Sequence, residues 1–297
     1  MACKIGDGRL ASAETGTGLV RALIASKAHG CDLINLSFGE PYWQPDYGRV
    51  AATFNDATYK WGMTVFTSAG NDGPALSSLG APGNLSGPIT VGAYISPQMM
   101  ADQYSMLPLD KVPSASYSFS SRGPTPDGWM PTLCAPGGAI APVPRHALQG
   151  KAQYHGTSMA SPSACGTAAC ILSSLKQAGI NPTPAELRRA LENSASPVEA
   201  SDPFSQGAGL ISAPAAIDYA TAHHGKPGQH LTFSLSVPSR RNARGIYLRD
   251  ACELRGPLTI GVLVRPLFSH SRSRTEAELA ELLKMEIEVR AAAGAGG

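Results

Sequence analysis

Two spacings of apolar residues alternate along most of the chain. Residues 14–28 carry Leu19, Val20, Leu23, Ile24 and Ala28 at helical intervals behind the Thr15 to Gly18 turn, which predicts a helix. The short apolar run Cys31-Asp32-Leu33-Ile34-Asn35-Leu36-Ser37-Phe38-Gly39 then predicts a strand. Residues 48–61 read as a second helix and 64–69 as a buried strand, and residues 89–94 repeat the strand pattern. Residues 163–179 are rich in helix formers, with Cys165, Ala168, Cys170, Ile171 and Leu175 along them. Residues 184–192 predict a helix with Thr183 as N-cap and Pro184 in its first turn, and 213–222 a last one. Helices between successive strands imply right-handed crossovers and a parallel sheet covered by helices, an α/β architecture. In such a sheet functional groups collect just past the carboxyl ends of the strands.

The pattern changes after residue 222. A His/Gly/Pro/Lys-rich stretch at 223–230 reads as a linker. Beyond it, residues 231–237 and 258–264 alternate like strands, 276–289 fits helix or strand, and 291–297 reads as a frayed tail. Three parts are therefore expected: an α/β domain over 1–222, a linker over 223–230, and an incomplete β-rich extension over 231–297.

Composition narrows the function classes. Charged residues make up 15%, with 32 Gly and 24 Pro among 297 residues, which suits a large α/β core with tight connections rather than a disordered or coiled-coil chain. The formal charge is +2, and the Arg-rich patches at 240–249 and 265–274 read as solvated surface, so no nucleic-acid partner is expected. Six cysteines show neither C-x-x-C pairing nor zinc-ligand spacing, so free thiols are expected, with no metal and no cofactor. No apolar run is long enough to cross a membrane, and the first residues lack the apolar core of a signal peptide. The expectation from these features is a cytoplasmic protein.

The chemistry centres on His155-Gly156-Thr157-Ser158-Met159-Ala160-Ser161-Pro162. A serine at the mouth of a buried helix is well placed as a nucleophile, because backbone N–H groups and the positive helix end favour the oxyanion it generates. A lone Gly-Thr-Ser would be an ordinary helix cap; the full string resembles the nucleophile motif of the subtilisin-like serine peptidases. Ser68-Ala69-Gly70-Asn71 follows an apolar strand, as does the family's oxyanion asparagine. In order along the chain, Val91-Gly92-Ala93, Ser118-Phe119-Ser120-Ser121-Arg122-Gly123-Pro124, the Ala135-Pro136-Gly137 turn and the Gln206-Gly207-Ala208-Gly209-Leu210-Ile211 strand are similar to further family segments. The resemblance implies a subtilisin-like three-layer fold with a mainly parallel sheet. It also implies Ser158 as nucleophile and Asn71 as oxyanion donor, the latter worth roughly 3 to 4 kcal/mol in such enzymes. Ser68, Ala69 and Gly70 would wall the first specificity pocket, and Ser37, Phe38 and Gly39 would pair with the substrate backbone as an added strand.

Other segments narrow the likeness to a giant, tripeptide-releasing branch of that family: Lys4 to Asp7, Glu14 to Gly18, Ser37 to Glu40, Cys134 to Ala141 and Arg244 to Asp250. An exopeptidase that removes three residues must hold a free α-ammonium about 10 Å from the scissile bond, at ~3.3 Å per extended residue. Carboxylates there supply charge-assisted hydrogen bonds. The resemblance assigns that role to Glu14, at an expected helix start, and to Glu40, one residue beyond Ser37-Phe38-Gly39. A carboxylate favoured by the helix dipole would equally explain Glu14. The partners implied are peptides with a free N-terminus, and a homo-oligomer in a full-length form.

A serine nucleophile requires a base and a group to orient it. The family's D-[ST]-G and H-G-T-H motifs do not occur in these residues. His29, at a helix end, and His155, three residues before Ser158, read as structural, and His146, His223, His224, His230 and His270 have no partner motif. The expectation is a chain that begins after the family's Asp and His segments and is inactive alone; a non-catalytic subunit that binds peptide N-termini is the alternative.

Overall fold

A computed structural model describes residues 1–7, 13–104, 112–129, 131–141, 152–226, 231–248 and 250–268, with positions 280 and 284. In chain order the elements are β1 (Gly6–Asp7), β2 (Ala13–Glu14), α1 (Gly16–Ala28), β3 (Leu33–Leu36), α2 (Gly48–Tyr59), β4 (Thr64–Ser68), β5 (Ile89–Ile95) and α3 (Pro97–Tyr104). There follow β6 (Ala115–Ser116), β7 (Leu133–Pro136), β8 (Gly138–Ala141), β9 (Ala152–His155), α4 (Thr157–Gln177), α5 (Pro184–Ser194), α6 (Pro203–Gln206), α7 (Ala213–His223), β10 (Leu231–Ser236) and β11 (Leu263–Phe268).

The central sheet runs β3-β4-β5-β7, all parallel, with short β6 antiparallel to the end of β5. β4 is buried along its whole length and sends alternate side chains to opposite faces, as the two-residue period of a strand requires. Val65 enters one core with Leu19 and Leu23 of α1 and Ala51, Phe54 and Ala57 of α2. Phe66 enters the other with Ile89, Val91, Leu133 and the buried face of α4. That face, Ala160, Ala164, Ala168, Ile171 and Leu175, keeps a helical spacing and begins with alanines, which let the helix axis approach the sheet closely. Helices thus cover both faces of a mostly parallel sheet, a subtilisin-like α/β fold. Among the described residues no helix is long and apolar enough to cross a membrane.

Local signals explain the starts of α1 and α5. Thr15 Oγ1 accepts from Gly18 N–H at 3.1 Å and caps α1, while Thr183 and Glu186 form a reciprocal capping box on α5. Four expectations shift. Glu14 is not at the helix start: it pairs with Gly6 in β2, outside the cap at Thr15. The expected Ala135-Pro136-Gly137 turn begins inside strand β7, because Leu133, Cys134 and Ala135 are fully buried beside β5. The expected strand at 206–211 reduces to bridges from Leu210 to Cys134 and Ser196, since Gly207 and Gly209 hold left-handed backbone that bends the chain. The strand expected at 258–264 lies at 263–268, and Leu258 and Val262 are exposed. Nearly all of 276–289, all of 291–297, residues 227–230 of the linker, and His146 and His270 lie outside the described residues.

Candidate active site

α4 begins at Thr157, so Ser158 stands in its first turn and Pro162 inside the helix. A proline has no N–H, and the carbonyl four residues earlier, that of Ser158, loses its helical partner. Ser37 replaces it: its hydroxyl, just past the carboxyl end of β3, donates to Ser158 O at 2.9 Å. Asn35 on the same strand completes a relay, donating to Ser37 Oγ at 3.2 Å and accepting at 2.7 Å from the buried Ser161 hydroxyl of α4. The serine-bearing turn is thus tied to the sheet by side chains whose need arises from one proline.

A second set of bonds orients Asn71. Both the backbone N–H and the hydroxyl of Thr157 donate to Asn71 Oδ1, at 3.0 and 2.9 Å. Two donors on one atom fix it as the amide oxygen, so the NH2 group faces away from Thr157. The Thr157 hydroxyl also accepts from Gly70 N–H at 3.2 Å. A side chain on Gly156 would begin 3.6 Å from Asn71 Nδ2 and 3.6 Å from Ser158 N. Ser158 N–H is one of the first-turn donors that no helical carbonyl can satisfy. Asn71 Nδ2 and Ser158 N thus lie 3.6 Å from one point beside Gly156, as does Met159 Sδ, and two N–H donors near one point are what an oxyanion site requires.

The approach to this gap is lined by the ends of β3 and β4. Ser68 and Ala69 are buried, and Ala69 N–H donates to Val91 O at 3.0 Å. Gly70 has φ +105°, and a Cβ there would lie 2.7 Å from Ser121 Oγ, so both backbone and space demand glycine. Phe38 is half-buried, and Glu40 pairs with Ala81 through two backbone hydrogen bonds of 2.8 and 2.9 Å. Glu40 is three residue steps beyond Ser37, a reach of no more than about 10 Å. The Glu40 carboxylate has no hydrogen bond or ion pair among the described residues. The side chain of Glu14 lies outside the described residues, and its backbone is in β2.

No described histidine is placed to serve Ser158. His29 is the C-cap of α1, at the end of the sheet where β3 begins rather than where it ends at Ser37. The His155 ring is exposed, with Nδ1 3.0 Å from the Tyr117 hydroxyl, and His223 Nδ1 lies 2.8 Å from Tyr219 O. His224 ends α7. All six cysteines are free; burial pushes the Cys134 thiol up to about 12 and Cys165 to about 11, so neither is a nucleophile at neutral pH.

Thr157, Asn35, Ser161 and Pro162 went unassigned in the sequence reading, although a proline four residues after the serine did announce an orphaned carbonyl.

A mostly parallel α/β sheet, a serine in the first turn of α4 and an asparagine bonded to that same turn are the architecture of a subtilisin-like serine peptidase. Residues 1–209 match the subtilase family, Peptidase S8, and the chain belongs to it. Tripeptidyl-peptidase 2 of Arabidopsis thaliana is 44% identical over 294 residues, taking in 96% of this chain and 21% of the plant protein. That of Drosophila melanogaster is 39% identical over 276 residues, or 90% of this chain and 19% of the fly protein. The crystal structure of tripeptidyl peptidase 2 matches with a TM-score of 0.73 at 35% identity, covering 92% of this chain and 21% of that one. This chain thus spans about a fifth of the length of these relatives.

Proposed function

We propose that these residues form the nucleophile and substrate-binding part of a serine peptidase that releases tripeptides from free N-termini. The observation that carries the reading is the pair of donor nitrogens, Ser158 N and Asn71 Nδ2, both 3.6 Å from one point beside Gly156, at the head of an edge that ends in a carboxylate without a partner among the described residues. Ser158 Oγ attacks the third peptide bond, and the carbonyl oxygen becomes an oxyanion held by those two N–H groups. The amine leaves with a proton from the base, and water then hydrolyses the acyl-enzyme. Ser37 to Gly39 receive the substrate backbone, Ser68 to Gly70 wall the pocket for the residue before the scissile bond, and Glu40 holds the ammonium three residues upstream. Glu14 is assigned to the same ammonium by family likeness.

The base and its orienting acid are supplied from outside these 297 residues, and the chain alone is inactive. The similarity to tripeptidyl-peptidase 2 supports the substrate class. A homo-oligomer of the full-length form is part of the same reading, and the six unpaired thiols support a cytoplasmic location. The lack of a described histidine at Ser158 favours one second reading, a non-catalytic subunit that binds peptide N-termini.

A fluorophosphonate probe separates the readings. Ser158 should stay unlabelled in this chain and become labelled when a segment carrying D-[ST]-G and H-G-T-H is joined upstream. Labelling of the chain alone would show that a base is present within it. Persistent silence in the joined form would favour the binding subunit. In the active form, Glu40→Gln should slow cleavage of free-N-terminus peptides by about tenfold, the loss of one charge-assisted hydrogen bond, and leave cleavage of acetylated peptides unchanged.

A further inference from the structure

We propose that Arg244, beyond the residues 1–209 that match the family, is a positioning residue for the peptide-binding edge. The inference rests on the reading that Glu40 receives the peptide N-terminus. Residues 40–47, which carry Glu40 away from β3, have almost no core of their own: Tyr42, Trp43 and Tyr47 are exposed, Trp43 by 70%. Polar ties hold the segment at three points. Glu40 pairs with Ala81; Asn84 Nδ2 donates to Tyr42 O at 2.6 Å; and Asp46 Oδ1 accepts from Asn55 Nδ2 at 2.9 Å and Ser86 N–H at 3.0 Å.

The Arg244 guanidinium reaches two of these three. Nη1 lies 3.4 Å from Asp46 Oδ2, and Nη2 donates to Asn84 O at 3.5 Å. The same group is anchored from the other side: Nε pairs with Asp127, the backbone N–H of Arg244 donates to Asp127 O, and the guanidinium carbon sits 4.5 Å from the Trp129 ring centroid. Its side chain is 17% exposed, so the charge is little screened, and it is the cation that faces both carboxylates, whose other partners are neutral: Asn55 and Ser86 for Asp46, Thr125 for Asp127. The contact to Asp46 is an ion pair without a hydrogen bond, and only a planar guanidinium can make it while pairing with a second carboxylate through Nε, donating to a carbonyl through Nη2 and stacking on an indole. The Glu40 carboxylate has no partner of its own among the described residues, so the ties on residues 40–47 set where it stands.

Amide hydrogen exchange of this chain tests the tether directly. In Arg244→Gln the Glu40 and Ala81 amides, which close the bridge between the two loops, should exchange about tenfold faster, while amides of β4 and β5 keep their rates. Asp46→Asn retains the acceptor for Ser86 and Asn55 but drops the charge, and should produce a smaller change of the same kind if the Arg244 variant does not fold. Unchanged bridge rates in both variants, or equal acceleration at β4 and β5, would overturn the proposal. NMR titration with trialanine and N-acetyl-trialanine then reads the consequence. Wild type should prefer the free amine, and Arg244→Gln should lose that preference while still binding the acetylated peptide. Retention of the full preference in Arg244→Gln overturns the positioning role. A wild type without preference sinks the amine-clamp reading instead, and the exchange rates still decide whether Arg244 holds the edge.

Discussion

Replacing Ser37 by alanine probes the tie between the serine-bearing turn and the sheet. In an uninterrupted helix the Ser158 carbonyl would accept from the N–H of residue 162; Pro162 has none, and the Ser37 hydroxyl takes its place at 2.9 Å. Ser37→Ala leaves that half-buried carbonyl without a protein donor. Because it is partly open to water the loss should sit at the low end of an unsatisfied group, about 1 kcal/mol, or roughly 2 to 3 °C in Tm for a chain of this size. Asn35 Nδ2, the other partner of Ser37 Oγ, is exposed, and water replaces that bond at little cost. The decisive measurement is a double-mutant cycle by urea unfolding. Pro162→Ala restores an N–H aimed at the same carbonyl, so Ser37→Ala in that background should cost only a few tenths of a kcal/mol, a coupling of about 1 kcal/mol. If the two substitutions add within about 0.3 kcal/mol, the carbonyl is not what links them and the account of the turn is wrong.

Three further outcomes follow from side-chain surroundings. Thr157→Val should leave Gly70 N–H unpaired and remove one of the two bonds orienting Asn71, lowering stability by about 1 to 3 kcal/mol; a change within 0.5 kcal/mol in urea unfolding would count against the geometry at Asn71. Burial works against the charge of Arg188, yet Glu192 and Tyr59 more than offset it, and the guanidinium reaches Ser86 O at 2.8 Å and Glu192 Oε1 at 2.8 Å beside Trp129. Arg188→Lys cannot reproduce that fork, so unfolding should show a loss of about 2 kcal/mol or more, and a Tm equal to wild type would refute it. Burial holds the Cys134 thiol near 12, so the native state keeps a proton that the unfolded chain releases above about pH 9. Stability should therefore fall as pH rises from 9 towards 12, by about 1.4 kcal/mol per unit from this thiol. Cys134→Ala should flatten the slope between pH 9 and 10.5; identical slopes would reject the assignment.

How much was legible in the chain depended on the range of the interaction. Helices α1, α2, α4, α5 and α7 were readable because caps and apolar spacing are local, as at Thr183-Pro184. β7 was mistaken for a turn because Ala135, Pro136 and Gly137 look like loop residues, and only the parallel neighbour β5 makes Leu133 to Pro136 a strand. Residues 206–211 erred the other way, since their glycines pack against other segments at left-handed backbone angles. At the site, Ser158 and Asn71 stood out as motif residues. Thr157, Asn35 and Ser161 did not, because a small hydroxyl or amide is informative only once its distant partner is known, 86 residues away for Thr157 and Asn71 and 126 for Ser161 and Asn35.

By itself the sequence determined the alternation of strands and helices and the family, and singled out Ser158 as the candidate nucleophile, because periodicity, caps and an eight-residue motif are written over neighbouring positions. Tertiary structure alone decided which way the Asn71 amide faces, what satisfies the Ser158 carbonyl, and that Arg244 reaches back to the 40–47 segment. Those are outcomes of sheet order and packing between distant parts of the chain, where a hydrogen bond exists only if both ends are brought within about 3 Å of each other.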